Sequence, residues 1–193
     1  TTLRSLSLSL GSQTTPGLIR VLRTNTVLES LTIRCASIAF SRNLIEAVSQ
    51  SNLISFSIWP IFSPAIINRM NMILRTLQHN STLVNLNVDL GTHQTLKPDV
   101  LTSFLQHNTT LRRLDLNASL SSKPNSEQKV IMLTNTTLCR LNLNGTTPFL
   151  KNLVDRNLHN DRRKKTTLVS CLLGYRFGYP HRDAQEQEDS NVV

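Results

Sequence analysis

Few residues of this chain have the types and spacing that support chemistry, and most of those few have a plainer reading. His79 and His107, each inside a Gln-His-Asn triplet, have the imidazole nitrogens of a metal pair. Their matching triplets mark them instead as equivalent helix-end positions of a repeat. Cys35, Cys139 and Cys171 show no C-x-x-C spacing and are odd in number, so reduced thiols are expected rather than a disulfide framework or a zinc site. The sequence contains no G-x-S-x-G, no H-E-x-x-H and no glycine-rich phosphate loop, and it has only six glycines from which to build one. No enzyme, cofactor or metal is therefore expected. Arg162-Arg163-Lys164-Lys165 is the one run of basic residues; it could bind nucleic acid or act as an import signal, but without interleaved aromatics it reads as a solvated connection.

Composition places the chain among folded domains. Of its 193 residues 39% are hydrophobic and 17% charged, enough apolar content for a core, and at 5% aromatic that core must be aliphatic. No stretch has the length and apolarity of a membrane helix, and Thr1-Thr2-Leu3-Arg4 does not open a signal peptide. The chain begins without Met, as a piece of a longer product would. Reduced cysteines point to a cytoplasmic setting. Against that stand N-x-S/T sequences at Asn80, Asn108, Asn117, Asn135 and Asn144, several of which the repeat itself supplies. The net charge of +9 is spread along the body, while Asp183, Glu186, Glu188 and Asp189 make residues 183-193 a polar, acidic tail expected to be disordered.

Self-similarity decides the fold. Leu3-Arg4-Ser5-Leu6-Ser7-Leu8, Leu28-Glu29-Ser30-Leu31-Thr32-Ile33, Leu83-Val84-Asn85-Leu86-Asn87-Val88, Leu111-Arg112-Arg113-Leu114-Asp115-Leu116 and Leu138-Cys139-Arg140-Leu141-Asn142-Leu143 share the pattern L-x-x-L-x-L. Leu53-Ile54-Ser55-Phe56-Ser57-Ile58 is a variant, and Leu168-Val169-Ser170-Cys171-Leu172-Leu173 is read as a degenerate last copy forming a closing strand. The first leucines at 3, 28, 53, 83, 111, 138 and 168 are 25 to 30 residues apart, room for a strand and a full helix per repeat.

The last two apolar residues of each copy are two apart and must share one side of a strand. Between copies, helices are expected over Pro16 to Arg23, Asn43 to Ser49, Pro64 to Gln78, Lys97 to Gln106 and Asn125 to Leu133. Leu22, Leu77, Leu105 and Met132, each six residues before the next first leucine, are their inward knobs. Asn25, Asn80, Asn108 and Asn135, three residues before that leucine, are expected to end the helices in the left-handed conformation and to bond a neighbouring coil.

The L-x-x-L-x-L core, the Asn-Thr-Thr-Leu lead and the repeat length resemble leucine-rich repeats of the ribonuclease-inhibitor-like class over roughly residues 1 to 160. The resemblance implies an α/β leucine-rich-repeat solenoid: a right-handed β-α superhelix of six to seven repeats, with a curved parallel sheet and helices on its convex face. One departure is that the usual Asn or Cys eight residues after the first leucine is replaced by Gly11, Ala36, Ile61, Gly91, Ser119 and Thr146, so irregular turns are expected there. Leu172-Leu173-Gly174-Tyr175-Arg176-Phe177, with Pro180, His181 and Arg182 after it, is similar to the closing segment of the tropomodulin and leiomodin repeat domain, which caps actin pointed ends. The expected organisation is a repeat domain at 1-182, with 161-182 as its cap and Tyr175 and Phe177 over the end of the core.

The positions left for function are the outward strand residues: Ser5, Ser7, Ser9; Ser30, Thr32, Arg34; Ser55, Ser57, Trp59; Asn85, Asn87, Asp89; Arg113, Asp115, Asn117; Arg140, Asn142, Asn144. Trp59 either anchors a partner or ends its strand under the Pro60 turn. Arg113, Asp115 and Arg140 either engage a partner's carboxylate or neutralise one another. With Asn87, Asp89 and Asn142 these form the expected partner-binding set. The expected function is non-catalytic protein binding on the concave face, within a larger scaffold, sensor or effector. The alternatives are a tropomodulin-like actin-capping protein, for which actin enters through the resemblance alone, and nucleic-acid binding through the basic surface. Nucleic acid is not the expected partner, and no membrane is.

Overall fold

The computed structural model describes residues 3–10, 15–35, 42–60, 69–89, 95–144 and 148–172, with side chains of α6 described as far as Lys164. Its strands are β1 (Ser5–Leu10), β2 (Ser30–Cys35), β3 (Ser55–Pro60), β4 (Asn85–Val88), β5 (Thr95–Leu96), β6 (Arg113–Leu120) and β7 (Arg140–Asn144). Its helices are α1 (Thr15–Thr24), α2 (Arg42–Gln50), α3 (Arg69–Leu77), α4 (Pro98–His107), α5 (Ser126–Met132) and α6 (Pro148–Leu172). The described strands form one sheet, paired in the order β1-β2-β3-β4-β6 with β7 on the far side of β6, and every pairing is parallel. This is a leucine-rich-repeat solenoid, with one strand and one helix per repeat.

The repeat pattern sets the register. Leu6, Leu31, Phe56, Leu86, Leu114 and Leu141 are successive Cα partners, as are Leu8, Ile33, Ile58, Val88 and Leu116. Nearly all of the second to fifth rungs of these rows are buried, and the helices supply the opposite wall. In α3, Met70, Ile73, Leu74 and Leu77 stand at i, i+3, i+4 and i+7, a single stripe that buries completely. The expected knobs Leu22, Leu77, Leu105 and Met132 are all buried, and Ala47 holds the same place in α2, where its small size hid it from the pattern.

The helix-ending asparagines do more than end helices. Asn108 has φ −86 and ψ 111, extended rather than the expected left-handed backbone, because the side chain itself closes the turn. Its Oδ1 accepts from the amides of Thr110 (3.3 Å) and Leu111 (2.9 Å), while its Nδ2 donates to the carbonyls of Asn80 (3.1 Å) and Leu77 (3.4 Å) one repeat earlier. Asn135 repeats this, accepting from Thr137 and Leu138 and donating to Leu105 O and Asn108 O, and Asn80 donates to Ser49 O. Asn157 in α6 supplies a further rung, donating to Asn135 O and Leu138 O. A ladder of buried amides thus stitches the turns at Asn80, Asn108 and Asn135, and α6 at Asn157, each to the turn before it. In the third repeat that position is Gln50, and the hydroxyl of the next residue, Ser51, caps Val48 O instead.

The last copy departs from expectation. Leu168 and Cys171 lie within α6, not in a closing strand. The stop signals are missing there: Arg162 stands where the other repeats have a buried knob, and Lys165 stands where four of them have Asn. Nothing turns the helix into a strand. Leu173, Tyr175, Phe177 and the 183-193 tail lie outside the described residues, so the expected cap and tail are not seen. The chain divides into two compact units, Thr1–Leu158 and His159–Val193, the first containing all of the described strands.

One element had no sequence signal. β5 is a two-residue strand that pairs Thr95 with Ser119 and Leu96 with Leu120 on the far end of β6. Ser119, expected in an irregular turn, is thereby part of a strand. The other turn residues of that set, Gly11, Ala36, Ile61, Gly91 and Thr146, lie outside the described residues.

Candidate functional site

The face of the sheet turned away from the helices carries the outward strand residues in columns fixed by the register. The central column is Ser7, Thr32, Ser57, Asn87, Asp115 and Asn142, each the Cα partner of the next. Beside it run Ser5, Ser30, Ser55, Asn85, Arg113 and Arg140. Neighbours in a column are about 4.8 Å apart, close enough for adjacent side chains to bond.

The C-terminal half of the face is organised around Asp115, whose side chain is 10% exposed. Arg113 Nε donates to its Oδ2 at 2.6 Å, and Arg140 Nε stands 3.4 Å from Oδ1 in a charge contact without a hydrogen bond. The two arginine side chains remain 46% and 59% exposed. Asn87 and Asn142 flank Asp115 along the column. Just beyond this cluster the β6–β7 register shifts, so that Asp115 pairs with Asn142 but Ser119 with Asn144. Two residues beyond Asn87, Asp115 and Asn142 stand Asp89, Asn117 and Asn144: Asn144 Nδ2 donates to Asn117 Oδ1 (2.6 Å), and Asn117 Nδ2 donates to Asp89 Oδ1 (2.8 Å). Asp89 is therefore held in a separate chain of amides formed by Asn117 and Asn144.

Trp59 lies at the other side of the face, 43% exposed and in register with Arg34, which is also exposed. Trp59 stands next to the last residue of β3, and the turn after Pro60, on which its other reading rests, lies outside the described residues. Of the expected set, then, Arg113, Asp115 and Arg140 with Asn87 and Asn142 come together; Asp89 is tied elsewhere; and Trp59 stands two strands from Arg113.

The other chemical candidates resolve into structure. His79 and His107 stack edge to face with ring centroids 5.1 Å apart, as equivalent positions of adjacent repeats. His107 Nδ1 bonds Ser103 O at 2.8 Å, and Gln78 joins His79 Nε2 (3.0 Å) to Ser103 Oγ (3.2 Å). Among the described residues no group of three or more His, Cys, Asp or Glu is placed to hold a metal ion. Asn80, Asn108 and Asn135 are buried in the ladder and offer no amide to a glycan, whereas Asn144 is exposed. Cys139 is a free, half-buried thiol; the side chains of Cys35 and Cys171 lie outside the described residues. Arg162, Arg163 and Lys164 are exposed on α6. No described helix is long and apolar enough to cross a membrane. On the helix side, Arg42, Arg75 and Lys97 line an open cleft of about 520 Å³ with Asn71, Met72 and Thr76. Two of its cations already have carboxylates, Arg42 with Glu46 at 2.8 Å and Arg75 with Asp99 at 3.9 Å.

No known protein family matches this chain. No curated protein matches it either. Among solved structures it is similar to the leiomodin-1 actin-binding site 2, at 17% identity over 88% of each chain with a TM-score of 0.44. It is also similar to the tropomodulin C-terminal domain of Caenorhabditis elegans, at 15% identity over 86% of this chain and 91% of that one, with a TM-score of 0.43.

Proposed function

We propose that this chain is a non-catalytic protein-binding module, working within a larger scaffold, sensor or effector, and that it binds on the helix-free face of its sheet. The observation that carries this reading is the central column. Ser7, Thr32, Ser57, Asn87, Asp115 and Asn142 stand in register across six strands while the residues between them are committed to the core. Small polar side chains on a preformed sheet offer hydrogen bonds at little cost in side-chain ordering. Trp59, large and half open at one side of that field, is the anchor in this reading.

The test is capture of a protein partner by the intact chain, compared with Ser57→Arg and Asn87→Arg on the column and with Thr76→Arg on the helix side. Loss of capture by the column variants alone is the expected result. Equal capture by all, or loss only with Thr76→Arg, would place binding elsewhere. Actin is one defined protein to include, because the closing segment from Leu172 resembles that of actin-capping repeat domains. Repeating the capture across a salt series separates nucleic acid, whose binding falls steeply with salt, from a partner held by neutral polar contacts.

A further inference from the structure

We propose that Arg113 and Arg140, aimed by Asp115, form a receptor for a carboxylate carried by the protein partner. This rests on the reading of the sheet face as the binding surface and names the chemistry of one of its contacts.

The geometry separates the parts of each guanidinium. Arg113 and Arg140 are Cα partners on adjacent strands, and both turn Nε toward the one carboxylate of Asp115, at 2.6 and 3.4 Å. A guanidinium held through Nε keeps its two terminal nitrogens for another acceptor, in the planar fork that matches a carboxylate. Asp115 does not compete for that position, since its side chain is nine-tenths buried beneath the arginines. One of its oxygens has no hydrogen bond at all, so the carboxylate holds the second arginine by charge. Two cations over one buried anion leave a net positive charge, which one bound carboxylate balances.

The surroundings favour a single carboxylate over a phosphate chain. Among the outward strand residues described, the cations are Arg34, Arg113 and Arg140, punctuated by Asp89 and Asp115. A nucleic-acid groove would instead repeat its cations along the track and interleave aromatics. Asp89 is drawn away from the pair by Asn117, so the second acid of the face does not cancel it. Asn87 and Asn142, on either side of Asp115, supply amide donors at the rim of the same spot.

The experiment is an NMR titration of the full chain, following the arginine Nε–Hε signals. The probes are the capped peptide Ac-Gly-Glu-Gly-NH2, its Gln counterpart, Ac-Gly-Gly-Gly-OH and inorganic phosphate. Saturable shifts at Arg113 and Arg140 with the Glu peptide or the free C-terminus, absent with the Gln peptide and absent at Arg75, are expected; which carboxylate peptide binds more tightly tells a side chain from a chain end. Arg113→Gln and Arg140→Gln should each weaken the response about tenfold, with amide spectra confirming the fold. Asp115→Asn decides the positioning role: affinity should fall even though the site gains positive charge, and a rise would show Asp115 to be only a competing anion. No saturable shift, or a stronger response to phosphate than to either carboxylate, overturns the proposal. If partner capture survives Arg113→Gln and Arg140→Gln but is lost with Asn87→Arg, the binding face stands and the carboxylate receptor falls. If carboxylates bind but no column variant affects capture, the receptor stands and the protein-binding reading falls.

Discussion

Replacing Asn108 with Ala removes the central rung of the ladder without touching the leucine core. The amide is 2% exposed, so water cannot take its place. Two well-made bonds are lost, from Leu111 N at 2.9 Å and to Asn80 O at 3.1 Å, along with two longer ones to Thr110 N and Leu77 O. A buried backbone group left unpaired costs about 1–3 kcal/mol, so the two strong bonds alone predict a loss of about 2–6 kcal/mol. Asn25→Ala is the matched control. Its Oδ1 accepts from Val27 and Leu28 at 2.9 and 2.8 Å in the same turn, but the turn is more open and water can substitute. That change should cost about 0.5–1 kcal/mol. Asn108→Asp keeps the acceptor but sets an anionic oxygen against two carbonyls. Burial raises that carboxyl's pKa in the folded state, so its penalty is absent below the unfolded value of about 3.9 and grows as pH rises above it. Urea melts followed by circular dichroism at pH 7 and pH 4 measure all three. If Asn108→Ala falls within about 0.5 kcal/mol of Asn25→Ala, the inter-repeat bonds contribute nothing and the ladder argument is wrong.

Three further outcomes follow from the same structure. Phe56→Ala, at a fully buried strand position, should cost about 3–5 kcal/mol by urea melt; a loss under about 1 kcal/mol would mean the site is not packed as described. Arg156 bonds Leu133 O at 2.9 Å, Asn135 O at 2.7 Å and Asn157 Oδ1 at 2.9 Å, so Arg156→Ala should cost about 1–2 kcal/mol. Arg156→Lys should recover less than half of that, since an ammonium cannot span the same acceptors. Trp59, the only tryptophan, should show red-shifted emission open to acrylamide quenching, and Trp59→Ala should move the urea midpoint little; shielded, blue-shifted emission would place the ring in the core instead.

The positions of most strands and of α1 to α5, though not of β5 or α6, were legible in the sequence because they follow from local rules repeated in successive copies. Apolar residues two apart define a strand face, apolar residues at helical spacing define a helix stripe, and Asn before the next leucine marks the change from one to the other. The same rule identifies in advance the outward column through Asn87, Asp115 and Asn142, since whatever is not inward on a strand is outward. Contacts between repeats are not local, and there only the tertiary structure decides. Asn108 could be read as a turn residue from its neighbours, but its bonds to Leu77 and Asn80 exist only once two coils stack. Asn157 carries no motif and becomes a rung because α6 lies beside the last turn. Leu168 and Cys171 match the strand pattern yet are helical, since the pattern needs a buried knob and an Asn stop that Arg162 and Lys165 do not provide. Two acids of the outward face stand in different columns, Asp89 bonded to Asn117 and Asp115 beneath two arginines, and these side-chain partners appear only in the folded sheet. Which side chains bond across the face depends on rotamers and packing between neighbouring strands, which no residue's own neighbours in the chain determine.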